Sequence, residues 1–306
     1  MSTFRVQLLV AAVVSIISVL GAAPDVRAEG AQSAEEYFKL GNDYFTERAL
    51  DKAVAAYEQC VALQPSYKEG WYNLGVAYGR QRRFRREIKA YREAIALDAS
   101  YVRAVYNLAI AYDDAQRYED AIVQYSRVLE LDPQAVDAWV NVGIVQARLG
   151  EIDQAIQSYK KALGIQEGAA DAWYNLGVAL ARKADEAKEA EVRQGLGKEE
   201  QAAYERAVAL EPGYYKAWFN VAIAYRRAGD IEREIQAYLT ALEIRNEYPQ
   251  ALYNLAYAYE EGGLLEEAVE VWRRYLVAAK AHPTEAPYLA IAEQEIVRLT
   301  APDSAP

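Results

Sequence analysis

Asparagine recurs along this chain at Asn73, Asn107, Asn141 and Asn175, each 34 residues after the last, then at Asn220 after 45 residues and at Asn254 after 34 again. A primary amide offers donors and an acceptor. A row of them can pair with both polar groups of an extended peptide and grip a backbone with little regard for its sequence. The residue before each Asn is aromatic in five cases, Tyr72, Tyr106, Tyr174, Phe219 and Tyr253, with Val140 the exception. Such rings supply rigid amphipathic contact area at low entropic cost and could stack on partner side chains or on sugar rings. At roughly 1 kcal/mol net per hydrogen bond, six amide pairs point to micromolar binding of a short segment once ordering costs are counted. The competing readings are that the amides serve hydrogen bonding between neighbouring helices and that the rings are partly buried against the next element.

Catalytic chemistry finds little material. The single Cys60 falls on an apolar helical stripe, where a free thiol behaves as a small hydrophobe. The single His282 sits in a loop with no Ser, Cys or carboxylate constellation around it. No carboxylates are spaced for a metal, no Gly-rich phosphate loop is present, and Gly195-Leu196-Gly197 reads as a turn. The expectation is therefore no enzyme, no cofactor and no metal. One local feature stands apart: Arg80, Arg82, Arg83, Arg85 and Arg86 crowd one inter-helix turn of a chain whose formal charge is −11. That spot suits a carboxylate-rich partner or lipid headgroups, or else it is a solvated turn that neutralises Glu87. The acidic whole repels phosphate backbones, which argues against nucleic acid as a partner.

The elements that carry these residues follow from a second ladder. Tyr57, Tyr91, Tyr125 and Tyr159 are spaced by 34 residues, Tyr204 follows after 45, and Tyr238 and Trp272 return to 34. Two ladders with one period and one shared 11-residue slip report seven copies of a unit, with an insertion in the fifth: 34–67, 68–101, 102–135, 136–169, 170–214, 215–248 and 249–282. Within 68–101, Trp71, Leu74, Gly75 and Tyr78 form the stripe of a first helix, and Ile88, Tyr91, Ala94 and Ile95 that of a second. Small residues at the eighth position (Gly41, Gly75, Ala109, Gly143, Gly177, Ala222, Ala256) let the backbones approach. Pro65, Pro133 and Pro212 stop second helices.

A 34-residue helix–turn–helix of this pattern resembles the tetratricopeptide repeat (TPR) family, over roughly residues 34–282. Ala138 to Gly143 with Ala155, Tyr159 and Ala162 lies close to the family pattern. The resemblance implies an all-α, right-handed superhelical solenoid, with the sixth position of each first helix on the concave surface. Because a repeat cannot bury its own stripe, the last one needs a cover. Residues 283–300 are expected to form that capping helix, with Thr284 as its cap, Pro287 in its first turn, and Leu289, Ala292, Ile296 and Leu299 inward. The insertion, roughly 183–198, is expected to lengthen the first helix of the fifth unit by about three turns and reverse at Gly195–Gly197. Glu87, Glu200 and Glu234 depart from the family at the twentieth position, and Arg83, Arg86 and Arg233 are the nearest donors in sequence. The Asn ladder is similar to that of the O-linked N-acetylglucosamine transferase family, which implies peptide-backbone binding; that family's catalytic part has no counterpart here. The carboxylate-clamp repeats of chaperone partners match less well. Asn42, Asn73 and Arg103 fit that motif, but Phe38 and Asn107 replace two basic residues.

The N-terminus reads as an address. Arg5, an apolar run from Leu8 to Leu20, the breakers Gly21 and Pro24, and Val26-Arg27-Ala28 follow the order of a secretory signal, with cleavage expected after Ala28. Residues 29–33 form a short lead and 301–306 a disordered tail. The expected location is periplasmic or secreted. The alternative is an uncleaved inner-membrane anchor, which alone would bring membrane contact. The functional expectation is a scaffold or adaptor of the cell envelope that binds a protein or extended peptide in its groove. The alternatives are a component of a polysaccharide or pilus export machine and, least supported, an enzyme.

Overall fold

The protein is described by a computed structural model over residues 33–301. The readings for residues 1–28 and for the final residues fall outside that range. The chain divides into two compact bodies, Met1–Pro133 and Gln134–Pro306. Helices are the only regular elements among the described residues.

The first body holds three helix pairs: α1 (Ala34–Thr46) with α2 (Leu50–Leu63), α3 (Lys68–Arg80) with α4 (Phe84–Leu97), and α5 (Val102–Asp114) with α6 (Tyr118–Leu131). The second holds four pairs: α7 (Val136–Arg148) with α8 (Ile152–Ile165), α9 (Ala170–Glu186) with α10 (Ala190–Leu210), α11 (Tyr215–Ala228) with α12 (Ile231–Ile244), and α13 (Pro249–Glu261) with α14 (Leu265–Ala279). A 3₁₀ turn, Pro283–Glu285, then leads into α15 (Ala286–Thr300). Within each body every helix packs on the helices before and after it. The entry to α1 is held by a capping box, in which the Glu36 amide donates to Ser33 Oγ and the Ser33 amide to Glu36 Oε2.

Each pair is joined by one close approach. The aromatic of the second helix (Tyr57, Tyr91, Tyr125, Tyr159, Tyr204, Tyr238, Trp272) is buried at every copy, and in four copies it lies on the glycine of the first (Gly41, Gly75, Gly143, Gly177). A Cβ added at Gly75 would stand 2.5 Å from the Tyr91 ring, and one at Gly143 2.5 Å from the Tyr159 ring. Dispersion contact over a whole phenol face holds the pair. Successive pairs are joined by tryptophan: the indole N–H of Trp71 donates to the Pro65 carbonyl at 2.8 Å, that of Trp173 to Glu167 at 2.8 Å and that of Trp218 to Pro212 at 2.9 Å. These bonds satisfy carbonyls of the turn just beyond the preceding helix and so tie that turn to the next pair.

Every first helix but α9 is followed by a left-handed residue at the fifteenth position of its unit. Gly150, Gly229 and Gly263 take it at φ between 75° and 83°, while Arg48, Arg82 and Gln116 take it at φ between 56° and 60°. Side chains pay a steric cost there that glycine does not.

The insertion runs differently from the sequence expectation. α9 continues by only one turn to Glu186, the chain breaks at 187–189, and the added residues start α10, which is 21 residues long and helical through Gly195 and Gly197. The reason is Leu196, which packs on the core of the second body and continues the stripe of Glu200, Ala203, Tyr204 and Ala207. The helical period outweighs two helix-interior glycines at about 1 kcal/mol each.

α15 places Ala292, Ile296 and Leu299 on the core of α13 and α14. Thr284 does not cap it: that residue lies in the 3₁₀ turn, and α15 starts without a side-chain cap. The junction is secured by Glu285, which is buried and accepts from Gln250 Nε2 at 2.6 Å and from the Tyr275 hydroxyl at 3.1 Å. Arg298 pairs with Glu295 and Glu260, and Glu260 also accepts from the Trp272 indole at 2.8 Å. None of the described helices is long and apolar enough to cross a membrane.

Candidate groove site

The ladder asparagines occupy α3, α5, α7, α9, α11 and α13, one turn from the buried stripe, and all six are half-buried. Two of them open onto hollows. In the first body a hollow of about 150 Å³ is lined by Asn42, Phe45, Thr46, Tyr57, Asn73 and Val76. In the second a hollow of about 210 Å³ is lined by Ile144, Ala147, Arg148, Tyr159, Asn175, Val178, Ala179 and Arg182. Both use the same register: the ninth, twelfth, thirteenth and twenty-fourth positions of one unit with the sixth and ninth of the next. The repeat therefore builds one kind of polar-floored hollow in separate parts of the chain.

The amides are partly committed. Asn73 Nδ2 donates to Asn42 Oδ1 at 2.8 Å, and the Tyr57 hydroxyl donates to the same oxygen at 2.8 Å. Asn107 Nδ2 donates to the Tyr72 hydroxyl at 3.0 Å, and Asn175 Nδ2 to the Asp171 carbonyl of its own helix at 2.9 Å. For Asn73, Asn107 and Asn175 the two-handed pairing read from the sequence is thus narrowed. One amide hydrogen of each serves the chain, and the carbonyl oxygen is left to accept a peptide N–H. The phenols beneath are neutral: burial pushes the Tyr57 hydroxyl up to about 12 against the opposing Asn73 amide, and it raises Tyr91 and Tyr159 as well. They act as hydrogen-bonding groups and not as bases.

The fifth-position rings are wedged rather than free. Tyr72 lies 5.9 Å from Tyr91 and 5.3 Å from Tyr101, Tyr174 lies 6.0 Å from Tyr204 and 4.8 Å from Tyr214, and Phe219 lies 5.7 Å from Tyr238 and 5.2 Å from Tyr248. Tyr106 meets Tyr125, and Tyr253 meets Trp272, Tyr275 and Tyr288. Arg103 also stands over the Tyr72 ring at 5.3 Å. Sequence reading missed the third ring of each set, although Tyr67 to Tyr101 and Tyr214 to Tyr248 repeat the 34-residue step.

Cys60 is fully buried on α2, beside Gly70 of α3, and burial pushes its thiol up to about 11, which leaves it a poor nucleophile. His282 is half-buried at the start of the 3₁₀ turn. Among the described residues no three His, Cys, Asp or Glu side chains gather to hold a metal.

Family models for the tetratricopeptide repeat match residues 38–102, 106–170, 189–249 and 250–278. The chain belongs to the tetratricopeptide repeat family. Among solved structures, a TPR protein from Parabacteroides merdae is similar over 86% of this chain and all of its own length, at 16% identity and a TM-score of 0.62. Pseudomonas aeruginosa PilF is similar over 76% of this chain and 96% of its own, at 15% identity and a TM-score of 0.57. YrrB, a TPR protein with an unusual peptide-binding site, is similar over 65% of this chain and 97% of its own, at 18% identity and a TM-score of 0.50. At these identities the likeness is one of fold. No curated protein matches the sequence.

The departures of this TPR chain from the family pattern resolve in unexpected ways. Neither Arg83 nor Arg86 reaches Glu87. That carboxyl is buried beneath Gly79, and Oε2 has no hydrogen-bond partner. Desolvation, helped by the Asp114 charge, pushes it up to about 7. Glu234 is likewise buried with Oε1 unpartnered and pushed up to about 7 by desolvation, while Arg233 pairs with Asp230 instead. Glu200 alone has a fork, Arg227 Nη1 lying 3.0 and 2.8 Å from its two oxygens, yet burial still outweighs the arginine and raises its pKa. The arginine cluster also divides. Arg80 ends α3 in the register of Thr46 and Arg148, which line the hollows, and its charge reaches the Tyr91 hydroxyl. The remaining arginines belong to the turn and to α4.

Proposed function

We propose that this TPR protein is a non-enzymatic adaptor of the cell envelope that holds an extended segment of a partner protein along the face of its first helices. The observation that carries the reading is the recurrence of one hollow in one register, around Asn73 in the first body and Asn175 in the second, each floored by a buried phenol and edged by Val76 or Val178. An extended segment can place a side chain in the hollow of either body while its neighbouring amides meet the Asn carbonyl oxygen there. Similarity in fold to YrrB, which has a peptide-binding site, supports a peptide as the ligand class.

Export rests on the N-terminal pattern of Arg5, the apolar run and Val26-Arg27-Ala28. Intact-mass measurement of protein recovered from the native host should give a chain beginning at Glu29, and a full-length mass would overturn export with cleavage. Groove binding is tested by placing a photo-crosslinking residue at Val76 or Val178 in the native compartment, then repeating capture with Asn107, Asn141 and Asn175 changed to Ala. A variant with unchanged circular dichroism should lose the captured protein, and undiminished capture would refute the ladder as the gripping surface.

A further inference from the structure

We propose that the exposed face of α4 is a second docking site, separate from the Asn ladder, for a carboxylate-rich segment of a partner protein. Seven cations fall between Arg80 and Arg92, and six of them, Arg82, Arg83, Arg85, Arg86, Lys89 and Arg92, are exposed on the turn and on α4. None of the six makes an ion pair among the described residues. Arg82 lies over Phe84 and Arg86 over Tyr78. Other cations of the same body do find acids, as in Lys68 with Asp98 at 2.7 Å and Arg117 with Asp120 at 2.6 Å.

α4 itself carries two acids, Glu87 and Glu93, against its cations. Glu87 is buried on the opposite face, under Gly79. Glu93 stands four residues after Lys89, yet forms no ion pair with it. Like charges held this densely on one helix repel one another, and a partner that supplies carboxylates relieves that repulsion.

The surface has shape as well as charge. Arg85, Lys89 and Arg92 follow the i, i+4, i+7 stripe and, with Ile88, Glu93 and Ala96, line a hollow of about 430 Å³. The stripe is about 10 Å long at 1.5 Å per residue, the span of about three residues of extended peptide. Guanidinium groups meet carboxylates through two parallel N–H bonds, and the cations here are arginine in all but one case. A membrane surface fits less well. A helix that lies in a bilayer interface needs a broad apolar face, whereas the stripe is flanked only by Ala96 and the partly exposed Leu97. Nucleic acid is disfavoured by the −11 charge of the whole chain.

The experiment uses the full chain and a fluorescein-labelled poly-glutamate peptide, read by anisotropy at low and physiological ionic strength. The wild type should bind with strong salt dependence. A variant carrying Arg85→Glu, Lys89→Glu and Arg92→Glu, all exposed side chains, should bind at least about tenfold more weakly, while the Asn107, Asn141 and Asn175 to Ala variant should bind as the wild type does. Failure of the groove reading alone leaves this result intact. No binding by the wild type, or equal binding by the charge-reversed variant, would overturn the site. So would co-sedimentation with phosphatidylserine vesicles that the charge reversal abolishes and the peptide does not compete, since that assigns the face to a membrane. Salt-sensitive self-association lost in the same variant would assign it to a second copy of the chain, and so would overturn it too.

Discussion

Replacing Glu87 by Gln should make the protein more stable at neutral and alkaline pH and leave it nearly unchanged below the ordinary carboxylate pKa of 4.5. The carboxyl is 6% exposed, one oxygen has no partner, and desolvation lifts it from the ordinary 4.5 to about 7. In the unfolded chain the group ionises near its ordinary value. The folded state therefore holds a proton that the unfolded state has lost between about pH 4.5 and 7. Stability from this group is full below the lower value and is lost as pH rises through the upper one. At 1.36 kcal/mol per pKa unit the difference reaches about 3 kcal/mol at pH 8, taken as an upper figure. The amide cannot ionise and keeps the shape of the acid. Urea unfolding of wild type and Glu87→Gln at pH 4, 5, 6, 7 and 8, at fixed ionic strength, should show a difference that is near zero at the acid end, grows by about 1 kcal/mol per pH unit between the two pKa values, and levels off above the folded one. Glu234→Gln should behave alike in the second body, where Arg226 opposes and Glu261 adds to the burial effect. Glu200→Gln should gain less, because the Arg227 fork compensates the charge. Parallel pH profiles for wild type and Glu87→Gln would refute the claim that a buried, unpaired carboxyl is being ionised.

Two other substitutions and one deletion test the backbone and the packing. Gln116→Gly should raise the melting temperature of the first body, by roughly 0.5–1 kcal/mol of stability, since Gln116 sits at φ 58° where a Cβ is unfavourable. Gly143→Ala should cost about 1–3 kcal/mol in urea unfolding, because its Cβ would lie 2.5 Å from the Tyr159 ring; an unchanged midpoint would show that the ring yields freely. Deletion of residues 286–301 should uncover the core against which Ala292 and Leu299 pack and leave Glu285 without its helix. Increased dye binding to apolar surface and a lowered melting temperature would report that loss.

The repeat was legible because packing dictates residue type. A phenol against a small residue leaves few alternatives, so the ladder of Tyr57, Tyr91, Tyr125 and Tyr159 carries the fold in plain sight. Features set by neighbours distant in sequence were not. Glu200 draws its donor from Arg227, 27 residues later, and not from a nearby arginine. The left-handed residue of the helix turn is hidden where Arg48, Arg82 and Gln116 occupy it, since none of these types advertises positive φ. Gly195 and Gly197 misled by type, while Leu196 between them, one helical period before Glu200 and Ala203, set the actual path. In the candidate site the Asn period could be read, but not the direction of each amide. Asn107 gives one amide hydrogen to Tyr72, a residue of the preceding unit.

The lone thiol of the chain, Cys60, is sealed between α2 and α3 with no exposed surface. Its alkylation must wait for those two helices to part. The rate at which an added maleimide consumes it is therefore a clock on the parting of the first two helix pairs, silent about the body that begins at Gln134. A ligand that clamps the face around Asn73 would slow that clock without needing to touch the sulfur, so the molecule carries its own gauge of occupancy at one end of the ladder.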